Sequence, residues 1–250
     1  MGLLRFDMSK RTFWATQIIL VGVICVALYF LLFRRWAPPL SQKEKKKKKG
    51  PKKKLLVLDI NGFLVHREFM HGNGVADKYN IHQATLLGKH YTWKRPHVDE
   101  FLDFCFDNFT VAIWTSARKE NMNLIADHVF GHERRSRLLE EFHQQQCNEV
   151  RPHPDPEVTN KPLFKKPLQK LWDLHPEYDK DNTLILENDP WKLIDNPSCT
   201  GFPLKKWTPS DAQDDALGPN SGLRTVLHAY ATVDLTTQEF VEAISKIQSF

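Results

Sequence analysis

The chain has 250 residues and a formal net charge of +5, but that surplus is unevenly spread. Residues 1–54 hold 14 Lys/Arg against two acids, a surplus of +12, which leaves the remainder at −7. An acidic main body argues against a general nucleic-acid-binding surface. Four cysteines with no metal or disulfide spacing exclude a disulfide scaffold and fit a reducing compartment.

Residues 1–12 form a short tail, and residues 13–33 run without a charge from Phe13 to Phe33. As a helix this stretch would be about 31 Å long, the thickness of a hydrocarbon core. Trp14 and Tyr29 stand near its ends, where amphipathic rings favour the interface. Arg34-Arg35-Trp36 follows, not a small-residue cleavage site, so a single uncleaved membrane span is expected. Three basic residues precede the span and eleven follow it by Lys54. The positive-inside rule then places the C-terminal part in the cytosol or nucleoplasm. Residues 34–54 read as a polybasic linker, suited to a solvated spacer, to anionic lipid or to a nuclear-targeting signal.

Residues 55–250 read as one domain. Leu55 to Ile60 is a short apolar run that ends at an acid, as a buried parallel strand does. Residues 67–93 look like an insert. Val98 to Asn108 has helical spacing, with Asp99 and Glu100 in its first turn. Thr110 to Trp114 is a second strand and Asn121 to Phe130 a second helix. His128 and His132 stand four residues apart and with Cys147 offer a zinc-like set, though no fourth ligand is visible. Residues 131–162 look like a second insert, where Pro152, Pro154, Pro156 and Pro162 oppose regular structure. Leu168 to Leu174 suggests a helix, and Thr183 to Leu186 a third strand. Residues 208–222 read as a loop, and Thr236 to Gln248 as a closing amphipathic helix. Alternating strands and helices predict a parallel α/β sheet.

Each predicted strand ends in a polar pair: Asp59 and Asn61, Thr115 and Ser116, Glu187 and Asn188. In a parallel sheet all three meet at one rim, where open α/β sheets place their chemistry. Phosphoryl transfer needs an attacking carboxylate, a hydroxyl on a phosphate oxygen, hard oxygen ligands for Mg²⁺ and a cation. Lys165 and Lys166 supply candidate cations just before the helix that leads to the third strand.

Over residues 54–205 the sequence resembles the small C-terminal-domain phosphatases, including their membrane-anchored Dullard branch, within the haloacid-dehalogenase superfamily. The resemblance rests on Trp93-Lys94-Arg95-Pro96-His97-Val98-Asp99-Glu100-Phe101-Leu102, Ile113-Trp114-Thr115-Ser116-Ala117 and Leu184-Ile185-Leu186-Glu187-Asn188-Asp189-Pro190. It implies a capless, Rossmann-like parallel-sheet domain with small inserts, following the transmembrane helix. It implies Asp59 as nucleophile and Mg²⁺ ligand, Thr115 and Ser116 as phosphate binders, Lys166 as the motif lysine, and Asn188 with Glu187 at the metal. Three positions depart from the pattern. Asn61 stands where the family has the general acid/base Asp, leaving its backbone carbonyl for Mg²⁺. Phe63 replaces Thr or Val, and Glu187 replaces Asp.

The expected function is a membrane-anchored, Mg²⁺-dependent phosphoprotein phosphatase of reduced activity, acting on a phosphorylated protein or peptide at the endoplasmic reticulum or nuclear envelope. The alternative is a catalytically lapsed binding module. The same domain serves without phosphatase chemistry as a receptor subunit of the mitochondrial presequence translocase, in the inner membrane.

Overall fold

The computed structural model describes residues 53–72, 74–155 and 161–248, with side chains described up to residue 243. The expected span at 13–33 and most of the polybasic linker lie outside these residues. Among the described residues no helix is long and apolar enough to cross a membrane.

The central sheet has five strands, all parallel: β1 (Leu55–Leu58), β5 (Thr110–Trp114), β6 (Glu141–Phe142), β9 (Thr183–Glu187) and β10 (Gly201–Pro203). Their order is β10-β9-β1-β5-β6. β1 is therefore central, and the chain builds first to one side of it and then to the other. The point where the direction reverses, beside β1, is where such sheets open a crevice at the carboxyl ends of the strands. Leu58 pairs with Ile113 on one side and Leu186 on the other, so the three predicted strand ends lie level.

The four residues of β1 are fully buried, because both faces of the sheet are covered. Leu56 and Leu58 join Val111, Ile113, Leu184 and Leu186 on one face. There they pack under helices α2 (Val98–Asn108), α3 (Lys119–Arg135) and α5 (Gly222–Thr232), and under Phe240 of α6 (Thr237–Gln248). Leu55 and Val57 join Ala112, Trp114 and Ile185 on the other, against Leu168 and Leu171 beside and within α4 (Gln169–Leu174). Each buried Val, Leu or Ile among them stabilises the fold by about 1.5–3 kcal/mol.

The two expected inserts carry more regular structure than their composition suggests. Residues 65–94 form a three-stranded antiparallel sheet, β2 (Val65–Phe69), β4 (His90–Lys94) and β3 (Thr85–Leu87) in the order β2-β4-β3, with the short helix α1 (Val75–Lys78) between β2 and β3. One face carries a small core of Val75, Tyr79, Trp93 and Trp207. In the second insert β6 adds to the main sheet, and β7 (Asn148–Val150) pairs with β8 (Leu163–Lys165). The prolines fall between β7 and β8, so they interrupt neither strand. Helix α5 corrects the sequence reading, which left residues 223–235 unassigned. Ser221 caps it by accepting from Arg224 N, and Leu227 and Tyr230 face the core.

Two lysines counted with the linker belong to the domain. Lys53 Nζ donates to the carbonyls of Phe106 and Asp107 at the end of α2, at 2.9 and 2.6 Å. Lys54 Nζ donates to those of Tyr230, Val233 and Leu235 at the end of α5, at 2.9, 3.1 and 2.8 Å, and lies 4.2 Å over the Tyr230 ring. Each ammonium thus answers carbonyls that a helix C-terminus leaves open.

Candidate active site

Asp59 follows β1 directly, and its backbone N–H donates to Leu186 O at 3.0 Å, which continues the ladder and fixes the carboxylate over β9. The side chain is buried. Lys166 Nζ donates to Asp59 Oδ1 at 2.6 Å, to Trp114 O at 2.6 Å and to Glu187 Oε2. Lys166 is itself fully buried, and its backbone N–H donates to Lys192 O at 2.8 Å. The other oxygen of Glu187 accepts from Lys192 Nζ at 2.9 Å and from the N–H groups of Asn188 and Asp189, both at 3.1 Å. Two buried carboxylates therefore meet two lysines. Lys192 is absent from the sequence-based site; its place five residues after Glu187, in a short 3₁₀ turn, was the available signal.

Burial, then the nearby charge of Glu187, pushes the Asp59 carboxyl up, against the opposing pull of Lys166 and Lys192. Burial also works against ionised Glu187, but Lys166 and Lys192 outweigh it and hold that carboxyl below its ordinary value. Of the two acids, Glu187 is the one the lysines hold most firmly ionised.

Thr115 follows β5, buried beside Asp59, and its Oγ1 accepts from Ala117 N at 3.2 Å. Ser116 is partly exposed in the turn that leads to α3. Asn61 is exposed and its backbone pairs with Val65, where β2 departs. The side-chain amide of Asn188 has one position 2.9 Å from Asp59 Oδ2 and 3.2 Å from Asn61 O. With nitrogen there, the amide donates to both. With oxygen there, three oxygens converge with no donor between them, which is the donor set a hard divalent cation takes. Gly62 permits this approach. Its φ is +89°, and a Cβ would stand 2.9 Å from Asn188 Nδ2.

Other sequence candidates fall elsewhere. Lys165 pairs with Asp195 at the surface, outside the Asp59 cluster. Phe63 lies in the core with its ring edge-on to Phe101 at 5.8 Å, so this departure from the motif is a change in packing. Arg95 of the Lys-Arg-Pro segment is buried in a two-bond pair with Asp214, both at 2.7 Å, and donates to Phe63 O at 3.2 Å. It braces the loop after Asp59 from behind.

The zinc-like set is corrected. Gly131, with φ 65° and ψ 177°, breaks the helix between His128 and His132, so they do not share a helical face. The Cys147 thiol sits behind Trp114, accepting from its Nε1 at 3.3 Å. Among the described residues no group of three or more His, Cys, Asp or Glu could hold a metal ion.

The family model for NLI interacting factor-like phosphatases matches residues 54–234. The chain belongs to this family. As such a phosphatase-like protein it is 38% identical over 74 residues to the CTD phosphatase-like protein 355R of Invertebrate iridescent virus 3, covering 27% of this chain and 39% of the viral protein. It is 26% identical over 191 residues to CTD nuclear envelope phosphatase 1 of Xenopus tropicalis, covering 72% and 69%. The structure of Fcp1, an essential RNA polymerase II CTD phosphatase, aligns at 13% identity with a TM-score of 0.42, over 79% of this chain and 62% of Fcp1. The match to the viral relative thus spans well under half of that protein's length.

Proposed function

We propose that this family member is a Mg²⁺-dependent phosphoprotein phosphatase that works through Asp59, slowly, as a membrane-anchored protein of the endoplasmic reticulum or nuclear envelope. The observation that carries the reading is the meeting of Asp59, Thr115, Lys166 and Asn188 at the carboxyl ends of three adjacent parallel strands. The haloacid-dehalogenase assignment rests on the same arrangement. The nuclear envelope relative supports the location.

Asp59 is the attacking carboxylate, forming the aspartyl-phosphate as the substrate oxygen leaves. Lys166, bonded to Asp59 Oδ1, holds that carboxylate oriented and answers charge gathering on the phosphoryl oxygens. The turn of Thr115 and Ser116 offers hydroxyl and N–H donors to those oxygens. Asp59, the Asn61 carbonyl and Asn188 would hold Mg²⁺, with Glu187 keeping Lys166 and the Asn188 backbone in place. When bound, the ion would supply charge neutralisation at phosphorus. Asn61 is the weak point, since an amide neither protonates a seryl leaving group nor activates water.

That same exposed amide favours the second reading, a lapsed module that binds phosphorylated segments in this cleft. The test is Mg²⁺-dependent phosphate release from phosphoserine peptides and aryl phosphates by wild type and Asp59→Asn. Release by wild type alone supports the enzyme. Phosphopeptide binding without any release, in both proteins, replaces it with the module.

A further inference from the structure

The small antiparallel sheet carries a set of polar groups that the catalytic loop does not use. Arg67 on β2 stands directly opposite Thr92 on β4, and Phe69 opposite His90. Opposed residues share a face, and so do alternate residues along a strand. Arg67, Thr92 and His90 therefore lie together on one face, with the aromatic core of Trp93 and Tyr79 on the other. On the first face, Arg67 Nε and Nη2, His90 Nδ1 and Thr92 Oγ1 are all buried and without a hydrogen-bond partner. Thr92 is 1% exposed. Leaving four such atoms unmatched at one spot is costly and uncommon in a folded protein.

No acid answers them. Among the described residues Arg67 makes no ion pair, in contrast to Arg95, Arg134 and Arg135, each of which meets a carboxylate. Burial alone holds the Arg67 guanidinium below its ordinary value, and burial with the charge of Arg67 does the same to His90; no carboxylate raises either. Lys94, two residues beyond Thr92 on the same face, is already answered by Asp99 at 2.8 Å, so the unpaired charge at this spot is that of Arg67. The face also continues from the catalytic loop, because Val65 pairs with Lys94 and bridges Asn61. Arg67 stands two positions beyond Val65, with only His66 between, a step of about 7 Å.

We infer that Arg67, His90 and Thr92 form an oxyanion subsite that takes a second phosphate or carboxylate on the protein substrate, a few residues from the phosphate presented to Asp59. The guanidinium supplies a charged pair of donors, and the imidazole and hydroxyl close on the remaining oxygens. The substrate part of this inference rests on the proposed phosphatase reading; the anion site itself does not. An exposed Phe69 ring, 5.6 Å from the His90 ring, borders the site where a peptide would pass.

The test has two arms, both on the full chain in detergent. Sodium sulfate is titrated at fixed pH while the His90 ring resonances are followed by NMR. A saturable shift is expected in wild type, and its midpoint should rise about tenfold or more in Arg67→Gln and also rise in the near-isosteric Thr92→Val. No saturable shift, or the same midpoint in both variants, overturns the site. In the second arm, Mg²⁺-free binding is measured for a phosphoserine peptide and for versions with a second phosphoserine or a glutamate two to four residues away. Wild type should prefer a doubly charged peptide about tenfold, and Arg67→Gln should lose the preference while keeping its affinity for the single phosphate. The better of the two doubly charged peptides identifies the oxyanion. Equal binding of all three by wild type overturns the substrate subsite. A sulfate shift with no peptide binding at all upholds the anion site and sinks the phosphatase reading instead.

Discussion

Lys166 Nζ lies 2.6 Å from Asp59 Oδ1 while also donating to Glu187, so one buried ammonium joins two carboxylates across adjacent strands. In this arrangement the lysine is the counter-charge that makes the acids tolerable inside the protein, and in the proposed mechanism it is also the cation that faces the phosphoryl group. Lys166→Met should therefore cost about 3–5 kcal/mol, because it leaves two carboxylates with only Lys192 as partner. Urea unfolding measures this. A loss under 1 kcal/mol would show that the cluster does not depend on it.

Asn61→Asp should restore a proton donor beside Asp59. Phosphoserine turnover is expected to rise by up to about 10²–10⁴-fold, and aryl phosphates, whose leaving groups need little protonation, should gain far less. Steady-state phosphate release on both substrates checks the contrast. Equal gains would mean that Asn61 limits something other than proton transfer.

Asp214→Ala should destabilise the domain by about 3–5 kcal/mol, since it strands the buried Arg95 guanidinium. The paired change Arg95→Met with Asp214→Leu should recover most of that loss. A double-mutant cycle by denaturant unfolding reads the coupling.

Gly62→Ala places a Cβ 2.9 Å from Asn188 Nδ2 at a backbone φ of +89°. It should cost about 1–3 kcal/mol and, if Asn188 holds Mg²⁺ as proposed, weaken that binding. Unfolding and metal titration together separate the two effects.

His66 gives a pH dependence. Burial, partly offset by Glu68, holds its imidazole below the ordinary value of about 6.5, so the folded protein keeps it neutral. The unfolded chain takes up the proton first as pH falls. The contribution of His66 is therefore full above about pH 6.5 and is lost as pH drops through the lower folded value. Urea unfolding from pH 7.5 to 5 should show this decline, and His66→Gln should flatten it.

The convergence of polar residues at the rim was legible because strands buried on both faces read as apolar runs, and each run stopped at the residues that the parallel register brings level. Lys166 was legible by its motif. Asp214 was not, because it meets Arg95 across 119 residues of chain and nothing local marks it. Lys192 escaped notice because a lysine in a turn is ordinarily solvated, and only the fold brings it to Glu187. The small sheet was hidden by Val65-His66-Arg67-Glu68-Phe69, whose two charges and buried histidine break the usual alternation. Helix α5 carried a readable signal, with Ser221 ahead of apolar residues at Leu223, Val226, Leu227 and Tyr230, placed after a long loop.

The grip of Lys53 and Lys54 on the ends of α2 and α5 has a mechanical meaning. A tug arriving along the chain from residue 52 would meet five carbonyl contacts before it reached β1, the central strand that carries Asp59. Those contacts act as a strain relief at the point where the chain enters the domain. They tie residues 53 and 54 to two helix ends, and so fix the start of the strand that sets Asp59 level with Thr115 and Asn188.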